Sequence, residues 1–220
     1  MTGKFISFEG GEGSGKSTQA RVLAERLKAN GINVVLTREP GGSLFAEQIR
    51  NLILSKDTAD HSALAEALLF SAARADHLER TIRPALEEGK WVVCDRFSDS
   101  TRVYQGVAGG LSKEVITKLE RMVVADTIPH MTLMLDLPAA DGLQRAGHRS
   151  ATALLTDGTT GADPYEARPI AFHEKLRDGF LVIATAEPER CVVLDALAHP
   201  DSVADQVWAA VETRLLRRGG

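Results

Sequence analysis

Cysteine, aromatic residues and long hydrophobic runs are scarce in this sequence of 220 residues. Its two cysteines, Cys94 and Cys191, each lie in a short apolar segment, which favours reduced core residues over a disulfide framework. No apolar stretch has the length of a signal peptide or of a membrane span. These absences argue against a disulfide-stapled secreted protein and against a membrane protein, so we expect a soluble protein of the cytoplasm.

An excess of one charge is lacking too, because the formal net charge is only −4. Such a balance gives no overall attraction to nucleic acid or to an anionic membrane, and we expect neither as a partner. Any site for an anion must therefore be local. The length suits one sizeable domain, and the sequence contains neither an internal repeat nor a linker, so we expect residues 1–220 to form a single domain.

Short apolar segments alternate with longer segments of helical periodicity, which is typical of βαβ units and a parallel sheet. The predicted strands are mostly apolar on both faces, as strands covered on both sides should be. They are Lys4–Glu9, Asn33–Arg38, Trp91–Asp95, Met131–Asp136 and Arg190–Asp195. We therefore predict an α/β fold in which a five-stranded parallel sheet is flanked by helices on both faces.

Helical periodicity is clear in three segments and fails in one. The clear apolar stripes are Ala20, Leu23 and Leu27; Val115, Leu119, Met122 and Val123; and Val203, Val207, Val211 and Leu215. The second stripe follows Ser112, a predicted N-cap, and faces either a core or a partner protomer. Segment 147–164 is rich in Gly, Thr, Ser and Ala without clear periodicity, so it is either disordered or a functional lid.

A complete phosphate-binding loop follows the first predicted strand. Residues 10–17 read GGEGSGKS, which satisfies the pattern G-x-x-x-x-G-K-[ST] between a strand and a helix. Glycines let backbone N–H groups point inward at phosphate oxygens, and the helix N-terminus favours negative charge. Lys16 is expected on the β- and γ-phosphates and Ser17 on Mg²⁺. The residues expected to bind ATP are Gly10, Gly11, Glu12, Gly13, Ser14, Gly15, Lys16, Ser17 and Thr18.

We expect a second acidic group, at the end of another strand, to hold the water shell of the metal ion. Asp95 and Asp136 each close a predicted strand, and each could instead cap the helix that follows. Asp95 is the better candidate, because Arg96 follows it directly at the carboxyl edge of the sheet, where open α/β folds bind ligands. We predict Mg²⁺ as the cofactor, held by Ser17 and Asp95.

The remaining motifs distinguish between classes of P-loop protein. The N-K-x-D and D-x-x-G motifs of a regulatory GTPase are absent, and an ATP-driven motor normally needs a longer chain. A small kinase fits the length, but it needs a second substrate site. Side chains suited to such a site follow two predicted strands, in 37–42 (TREPGG) and 95–106 (DRFSDSTRVYQG), and occupy one helix face at Ala67, Phe70 and Arg74.

Taken in order, these motifs resemble those of the thymidylate kinase family. The resemblance runs from about Phe5 to the C-terminus and rests on FEGGEGSGKST, TREPGG, LLFSAARADH and DRFSDSTRVYQG, of which the last is specific to thymidylate kinases among nucleotide kinases. It implies a P-loop nucleotide-kinase fold with a lid at about 147–166. It also implies transfer of the γ-phosphoryl group of ATP to dTMP, with Mg²⁺, in dTTP biosynthesis. Family members are commonly homodimers, and we expect one here.

The resemblance implies roles for individual side chains. Phe70 resembles the ring that stacks on thymine, Arg74 the arginine that bonds its carbonyl, and Tyr104 the ring that disfavours a 2′-hydroxyl. Arg50 and Arg96 resemble the pair that grips the acceptor phosphate. The residues expected to bind dTMP are Glu12, Arg38, Glu39, Pro40, Arg50, Phe70, Arg74, Arg96, Ser100, Thr101, Tyr104 and Gln105. Those expected in catalysis are Lys16, Asp95, Arg96 and Arg149.

The P-loop departs at Gly13 from the eukaryotic branch of the family, which has an arginine there. Glu12 beside it resembles the acid that meets the sugar 3′-hydroxyl. Bacterial members take the catalytic arginine from a D-R-[FI]-E motif in the lid, but this sequence has Pro164 at the arginine position. The candidates to replace it are Arg145, Arg149 and Arg168. We favour Arg149, at the start of the lid; a lid that works without an arginine is the alternative.

Two other functions stay open beside that of a dTMP kinase. A kinase for another deoxynucleoside monophosphate would share the P-loop and differ in the acceptor site. A non-catalytic sensor would use the same pocket to bind nucleotide without turnover. Turnover with ATP and a panel of nucleoside monophosphates separates these hypotheses.

Overall fold

The structure, a computed structural model, describes residues 3–55, 58, 61–157 and 164–217, and for 149–157 it describes the backbone alone. Its strands are β1 (Phe5–Glu9), β2 (Val34–Arg38), β3 (Trp91–Asp95), β4 (Met131–Asp136) and β5 (Cys191–Asp195). All pairings are parallel, in the order β2–β3–β1–β4–β5. The predicted five-stranded parallel sheet is confirmed, although β1, β2 and β5 begin one residue later than predicted.

Helices connect the strands. They are α1 (Lys16–Ala29), α2 (Leu44–Leu54), α3 (Ala63–His77), α4 (Arg83–Glu87), α5 (Ser98–Thr101), α6 (Lys113–Val123), α7 (Ala139–Asp157), α8 (Ile170–Ala186) and α9 (Pro200–Val211). Short π-helical turns extend α3, α5 and α9 over Leu78–Ile82, Arg102–Ala108 and Glu212–Leu216. In the described part of the chain, no helix combines the length of a membrane span with its apolar character.

The sheet is covered on both faces because alternate strand residues point to opposite sides. On one face, Ile6 and Phe8 pack with the apolar stripes of α1 and α9. On the other, Phe5 and Cys94 pack with Leu78 of the π-helical turn after α3. Full burial of each large side chain contributes about 1.5–3 kcal/mol. This arrangement fixes the carboxyl edge of the sheet, where the loops after β1, β2 and β3 meet.

Helix α6 has an apolar stripe that is only partly buried. Ser112 caps it as predicted, because its hydroxyl accepts from the Val115 N–H. However, Met122 is 80% exposed, and the buried residue of the helix is Ile116. Helix α6 packs on α3 and on the π-helical turn after α5. The predicted stripe is therefore divided: Met122 faces away from the core, whereas Val123 is half-buried against the core cluster of Phe5 and Cys94.

The segment that the sequence predicts as a lid is helical in its first part. Residues 147–157, for which we found no periodicity, continue helix α7 to Asp157. Four of these residues are alanine or leucine, which are strong helix formers and outweigh the Thr and Ser between them. Residues 158–163 lie outside the described residues. Pro164, Tyr165 and Glu166 return to the carboxyl edge of the sheet, where they line a cavity.

Candidate active site

A cavity of about 770 Å³ lies at the carboxyl edge of the sheet. Every residue that the sequence predicts for dTMP binding lines it. From the predicted ATP site, the lining residues are Glu12, Gly13, Gly15, Lys16, Ser17 and Thr18. The other three members of that set, Gly10, Gly11 and Ser14, do not line the cavity and instead shape the loop behind it. The structure therefore brings the two predicted nucleotide sites into one space.

The P-loop holds its lysine by contacts within the loop. The Lys16 ammonium donates to the carbonyl of Gly11 at 2.7 Å and to the hydroxyl of Ser14 at 3.3 Å. Burial and the nearby charge of Arg96 lower the pKa of Lys16 to about 8, although neighbouring carboxylates oppose that shift. A buried ammonium beside the N-terminus of α1 makes a site for an anion. The site is local, as we expect for a chain whose net charge gives no overall attraction to anions.

Gly13 has no room for the side chain that the eukaryotic branch carries. Its φ is +67°, a left-handed conformation that favours glycine. A Cβ added at Gly13 would lie 2.1 Å from the carbonyl oxygen of Gly142 in α7. The reverse approach is equally close, because a Cβ at Gly142 would lie 2.4 Å from the carbonyl oxygen of Glu12. The P-loop and α7 are therefore packed backbone to backbone, and position 13 does not accommodate an arginine side chain.

The two aspartates considered for the metal have different surroundings. Asp95 accepts a hydrogen bond from the Ser17 hydroxyl through Oδ2, while its Oδ1 is buried and has no hydrogen-bond partner in the described part of the chain. The guanidinium of Arg177 donates to both oxygens of Asp136, from Nε to Oδ1 at 2.6 Å and from Nη2 to Oδ2 at 2.9 Å. Asp136 is thus engaged in an ion pair, whereas Asp95 contacts Ser17 of the P-loop and lines the cavity.

Arg96 connects the P-loop to the segment after β3. Its guanidinium donates to Glu12 at 2.9 Å, to the Gly10 carbonyl at 3.2 Å and to Ser100 Oγ at 3.2 Å. It also lies over the ring of Tyr104, 5.0 Å from the centroid. Burial alone would lower the pKa of Arg96, but the surrounding acidic groups hold it well above its usual value. A fixed cation therefore faces the cavity beside the P-loop.

Glu12, the carboxylate that accepts from Arg96, also accepts from Tyr104. The Tyr104 hydroxyl donates to Glu12 Oε1 at 2.5 Å. Burial would raise the pKa of Glu12, but Arg96, Lys16 and this hydroxyl lower it to about 2. The Tyr104 ring lies edge-on to Tyr165, with centroids 5.3 Å apart, so a residue of the predicted lid adjoins it. Glu12 is thus an ionised acceptor on the wall of the cavity.

Arg74 is held rigidly by side chains that we did not connect to it from the sequence. Its Nε donates to Glu39 at 2.7 Å, and its two Nη atoms donate to Thr101 at 3.1 Å and to the Phe97 carbonyl at 3.1 Å. The other oxygen of Glu39 contacts buried His77 at 3.0 Å. Arg74 is only 5% exposed, so this is a buried, geometrically fixed ion pair rather than a surface one.

Glu9 is a site residue that the sequence reasoning missed. It is fully buried and accepts from the N–H groups of Phe97 and Ser100, at 2.8 and 3.2 Å, and from the Ser100 hydroxyl at 2.6 Å. Burial and the charge of Asp99 raise the pKa of Glu9 to about 7. A glutamate closing an apolar strand was the available signal, because carboxylates are almost never fully buried without partners. Glu9 fixes the segment that carries Arg96.

The remaining predicted acceptor residues surround the wider end of the cavity. Arg50 donates to the carbonyl of Pro40 at 3.0 Å. Phe70 is half-buried on the α3 face that also carries Arg74. Arg38 is more exposed and pairs with Glu47, with two contacts of 3.0 Å. A flat ring and two guanidinium groups thus face the same space as the P-loop.

The three candidate lid arginines have different positions. Arg145 donates to the carbonyls of Ala196 and Leu197, at 2.8 and 3.3 Å. Arg168 is exposed and lies over Phe172, 5.7 Å from the ring centroid. Neither side chain lines the cavity. The side chain of Arg149 lies outside the described residues.

Comparison with known proteins decides the family. The sequence model of a protein family described as "Thymidylate kinase" matches residues 8–207 of this chain. The chain belongs to the thymidylate kinase family. This confirms the identification from the motifs, and with it the predicted enzyme class and the predicted role in phosphorylating dTMP for dTTP synthesis.

Individual members of the family are similar over nearly the whole chain. Thymidylate kinase of Nitrobacter winogradskyi is 53% identical over 214 residues, which cover 97% of this chain and 90% of that protein. Thymidylate kinase of Caulobacter vibrioides is 52% identical, with coverages of 97% and 98%. The crystal structure of thymidylate kinase from Ehrlichia chaffeensis is 35% identical with a TM-score of 0.73, and covers 96% of this chain and 99% of that one. The predicted fold class is therefore confirmed.

Proposed function

We propose that this chain transfers the γ-phosphoryl group of ATP to dTMP, giving dTDP, inside the cavity described above. One observation carries the proposal: Lys16 and Ser17 of a phosphate-binding loop line the same cavity as Phe70 and Arg74. Phosphoryl transfer needs two phosphates in line within a shielded space, and most of its acceleration comes from positioning and charge neutralisation. Both halves of such a site are assembled on one sheet edge.

The donor half is residues 10–18. Backbone N–H groups of the loop and the N-terminus of α1 bind the phosphates of ATP, and the Lys16 ammonium neutralises charge on the group in transfer. The loop is supported in this shape by the contacts of Lys16 and Ser14 with Gly11. A phosphate oxygen is a stronger partner for the ammonium than the carbonyl that it now contacts, because the bond then joins two charged groups.

Ser17 and Asp95 fit a Mg²⁺ ion that accompanies the nucleotide. Their hydroxyl and carboxylate oxygens are the hard ligands that this ion prefers, and they lie in contact. The buried Oδ1 of Asp95, without a hydrogen-bond partner in the described residues, is the further feature that suits a cation. When bound, the ion neutralises charge on the β- and γ-phosphates.

The acceptor half binds dTMP through side chains. Phe70 stacks on the thymine ring, Arg74 donates to a thymine carbonyl, and Thr101 and Gln105 contact the base edge. Tyr104 lies against the sugar and disfavours a 2′-hydroxyl. Arg50 and Arg96 bind the acceptor phosphate, and Glu12 meets the sugar 3′-hydroxyl. The wall of the site is completed by Arg38, Glu39, Pro40 and Ser100.

In the transfer step, Arg96 holds the acceptor phosphate against the γ-phosphoryl group. Its three protein contacts leave the cation fixed before substrate arrives, so little reorganisation is needed during the reaction. Glu12 stays ionised and keeps Arg96 in place. No covalent intermediate with the enzyme is required.

A further arginine, from the lid at about 147–166 or directly beside it, completes the charge on the transferring group. Arg149 is our first candidate, because Arg145 is bound to carbonyls after β5 and Arg168 lies over Phe172. Replacing each with alanine tests this: loss of kcat in one variant identifies the residue. Normal kcat in all three variants would show that the lid works without an arginine.

We also propose a homodimer, in the cytoplasm, with residues 1–220 forming one domain. Several large apolar side chains of α2, α3 and α6 are exposed: Phe45 50%, Leu52 48%, Leu64 44%, Leu68 49% and Met122 80%. Helix α3 packs against both α2 and α6, and exposed apolar side chains on adjacent helices suit a protein interface. Light scattering on the purified chain should give twice the monomer mass, and Leu68→Glu should shift it to a monomer. A monomeric wild type at micromolar concentration would contradict the dimer.

Coupled-assay turnover with ATP and dTMP, dUMP, dCMP, dAMP and dGMP tests the function. We expect dTMP to have the highest kcat/KM. A preference for another nucleotide would support the second hypothesis, a kinase for that deoxynucleotide. Binding of nucleotides without turnover would support a sensor.

A further inference from the structure

Gln105 lines the cavity, and the NH₂ end of its side-chain amide has a hydrogen-bond partner. It lies in the π-helical turn after α5 and is only 2% exposed. Its Nε2 is 2.8 Å from Oε2 of Glu66 in α3. Glu66 lies one helical turn before Phe70. The carboxylate, the amide and the proposed stacking ring thus belong to one corner of the cavity.

The chemistry of this contact determines which end of the amide faces Glu66. An ionised carboxylate has only acceptors, so the NH₂ group of Gln105 has to face it. The carbonyl oxygen Oε1 is then left to face away, and no described residue donates to it. The second oxygen of Glu66 lies 3.4 Å from Nε2 of His61, so both oxygens of the carboxylate have a neighbouring nitrogen.

We propose that Glu66 is a positioning residue for base selectivity: it fixes the polarity of the Gln105 amide so that only an acceptor is offered to the base. The proposal rests on the proposed function, in which Gln105 contacts the edge of the base. Without a fixed partner, the amide of a glutamine can rotate by half a turn and offer a donor instead. With Glu66, that rotation would place a carbonyl oxygen against a carboxylate.

A fixed acceptor distinguishes the pyrimidines. The ring nitrogen N3 of thymine and uracil carries a hydrogen and is a donor, whereas N3 of cytosine is an acceptor. At the neighbouring position, thymine has the acceptor O4 and cytosine has an amino group. Arg74 offers donors only, and Glu39 holds it as Glu66 holds Gln105. The acceptor of Gln105 beside the donors of Arg74 matches thymine and opposes cytosine at both positions.

Steady-state kinetics of Glu66→Gln with dTMP, dUMP and dCMP test the proposal. A glutamine at position 66 can face Gln105 with either end, so the amide of Gln105 is freed. We expect the ratio of kcat/KM for dTMP over dCMP to fall at least ~10-fold, mostly through KM, since one fixed hydrogen bond is lost. The ratio for dTMP over dUMP should not change, because these two bases share the same edge. The matched control is Glu25→Gln on the exposed side of α1.

A double-mutant cycle separates this role from general support of the fold. In Gln105→Leu no amide remains to be oriented, so adding Glu66→Gln should leave the dTMP to dCMP ratio unchanged. A further loss of selectivity in that background would overturn the proposal, as would an unchanged ratio in Glu66→Gln alone. If Glu66→Gln does not fold, Glu66→Asp withdraws the carboxylate by one methylene, and it should lower the ratio in the same direction.

The outcome also separates this proposal from the function on which it rests. If the wild-type chain does not phosphorylate dTMP, the proposed function fails. If it phosphorylates dTMP and the Glu66→Gln and Glu66→Asp variants keep its discrimination against dCMP, only the role of Glu66 fails.

Discussion

The donor and acceptor halves of the cavity are constructed in different ways. The donor half is one continuous loop, in which Lys16 and its carbonyl partner Gly11 are five residues apart. The acceptor half is a network of side chains from distant parts of the chain: the Arg74–Glu39 pair spans 35 residues, and the Glu9–Ser100 contact spans 91. A local backbone site can be read from a motif, whereas a side-chain network exists only after the fold has brought its members together.

The largest effect should come from the one charged side chain of the loop that lies on the phosphates. We expect Lys16→Ala to lower kcat by about 10²–10³-fold, the usual cost of removing one preorganised electrostatic contact from a shielded site. Lys28→Ala, at the exposed end of the same helix, is the control and should leave kcat unchanged. A Lys16→Ala variant within threefold of wild type would mean that the backbone alone provides the donor half.

In the acceptor half, removal of a buried charge should lower the free energy of unfolding more than removal of an exposed one. We expect Glu39→Ala to lower the free energy of unfolding by about 3–5 kcal/mol, because Arg74 is left buried without its carboxylate. The exposed pair of Arg26 with Asp205, at 3.1 Å, is the control, and Asp205→Ala should cost at most about 1 kcal/mol. Denaturant unfolding of both variants measures the two costs, and equal losses would contradict a buried network.

The backbone contact between the P-loop and α7 gives a smaller effect. Gly13 and Gly31 both have left-handed φ, at +67° and +77°, but a Cβ at Gly31 meets nothing within 4 Å. Gly31→Ala should therefore lose only the roughly 1–2 kcal/mol of that conformation. We expect Gly13→Ala to lose a further ~1–3 kcal/mol through its clash with Gly142. Similar losses in the two variants would show that α7 yields easily.

The pH dependence of ATP use gives the smallest effect and concerns the donor half alone. The pKa of Lys16 is lowered to about 8, and only the charged form attracts phosphate. We therefore expect kcat/KM for ATP to fall as the pH rises through about 8. Bound phosphates favour the charged lysine, so kcat/KM for dTMP at saturating ATP should stay level over the same interval. A level kcat/KM for ATP up to pH 9.5 would contradict this.

The same contrast explains how much of the molecule could be predicted. The sheet and the P-loop follow from local patterns, and the acceptor residues follow from family motifs. Glu9, His77 and Glu66 were missed because each acts through a residue far along the chain, and no spacing in the sequence connects them. The end of α7 was missed for a different reason: the polar residues between the alanines and leucines of 147–157 hid their helix propensity.

The most direct test of the account is a crystal structure of the chain with dTMP, Mg²⁺ and a non-hydrolysable ATP analogue. We expect the triphosphate on the backbone of residues 10–17 and the thymine ring on Phe70, with Arg96 between the two phosphates. The amide of Gln105 should still have its NH₂ group on Glu66. Thymine bound outside the cavity, or both nucleotides competing for the P-loop, would contradict a site composed of two halves.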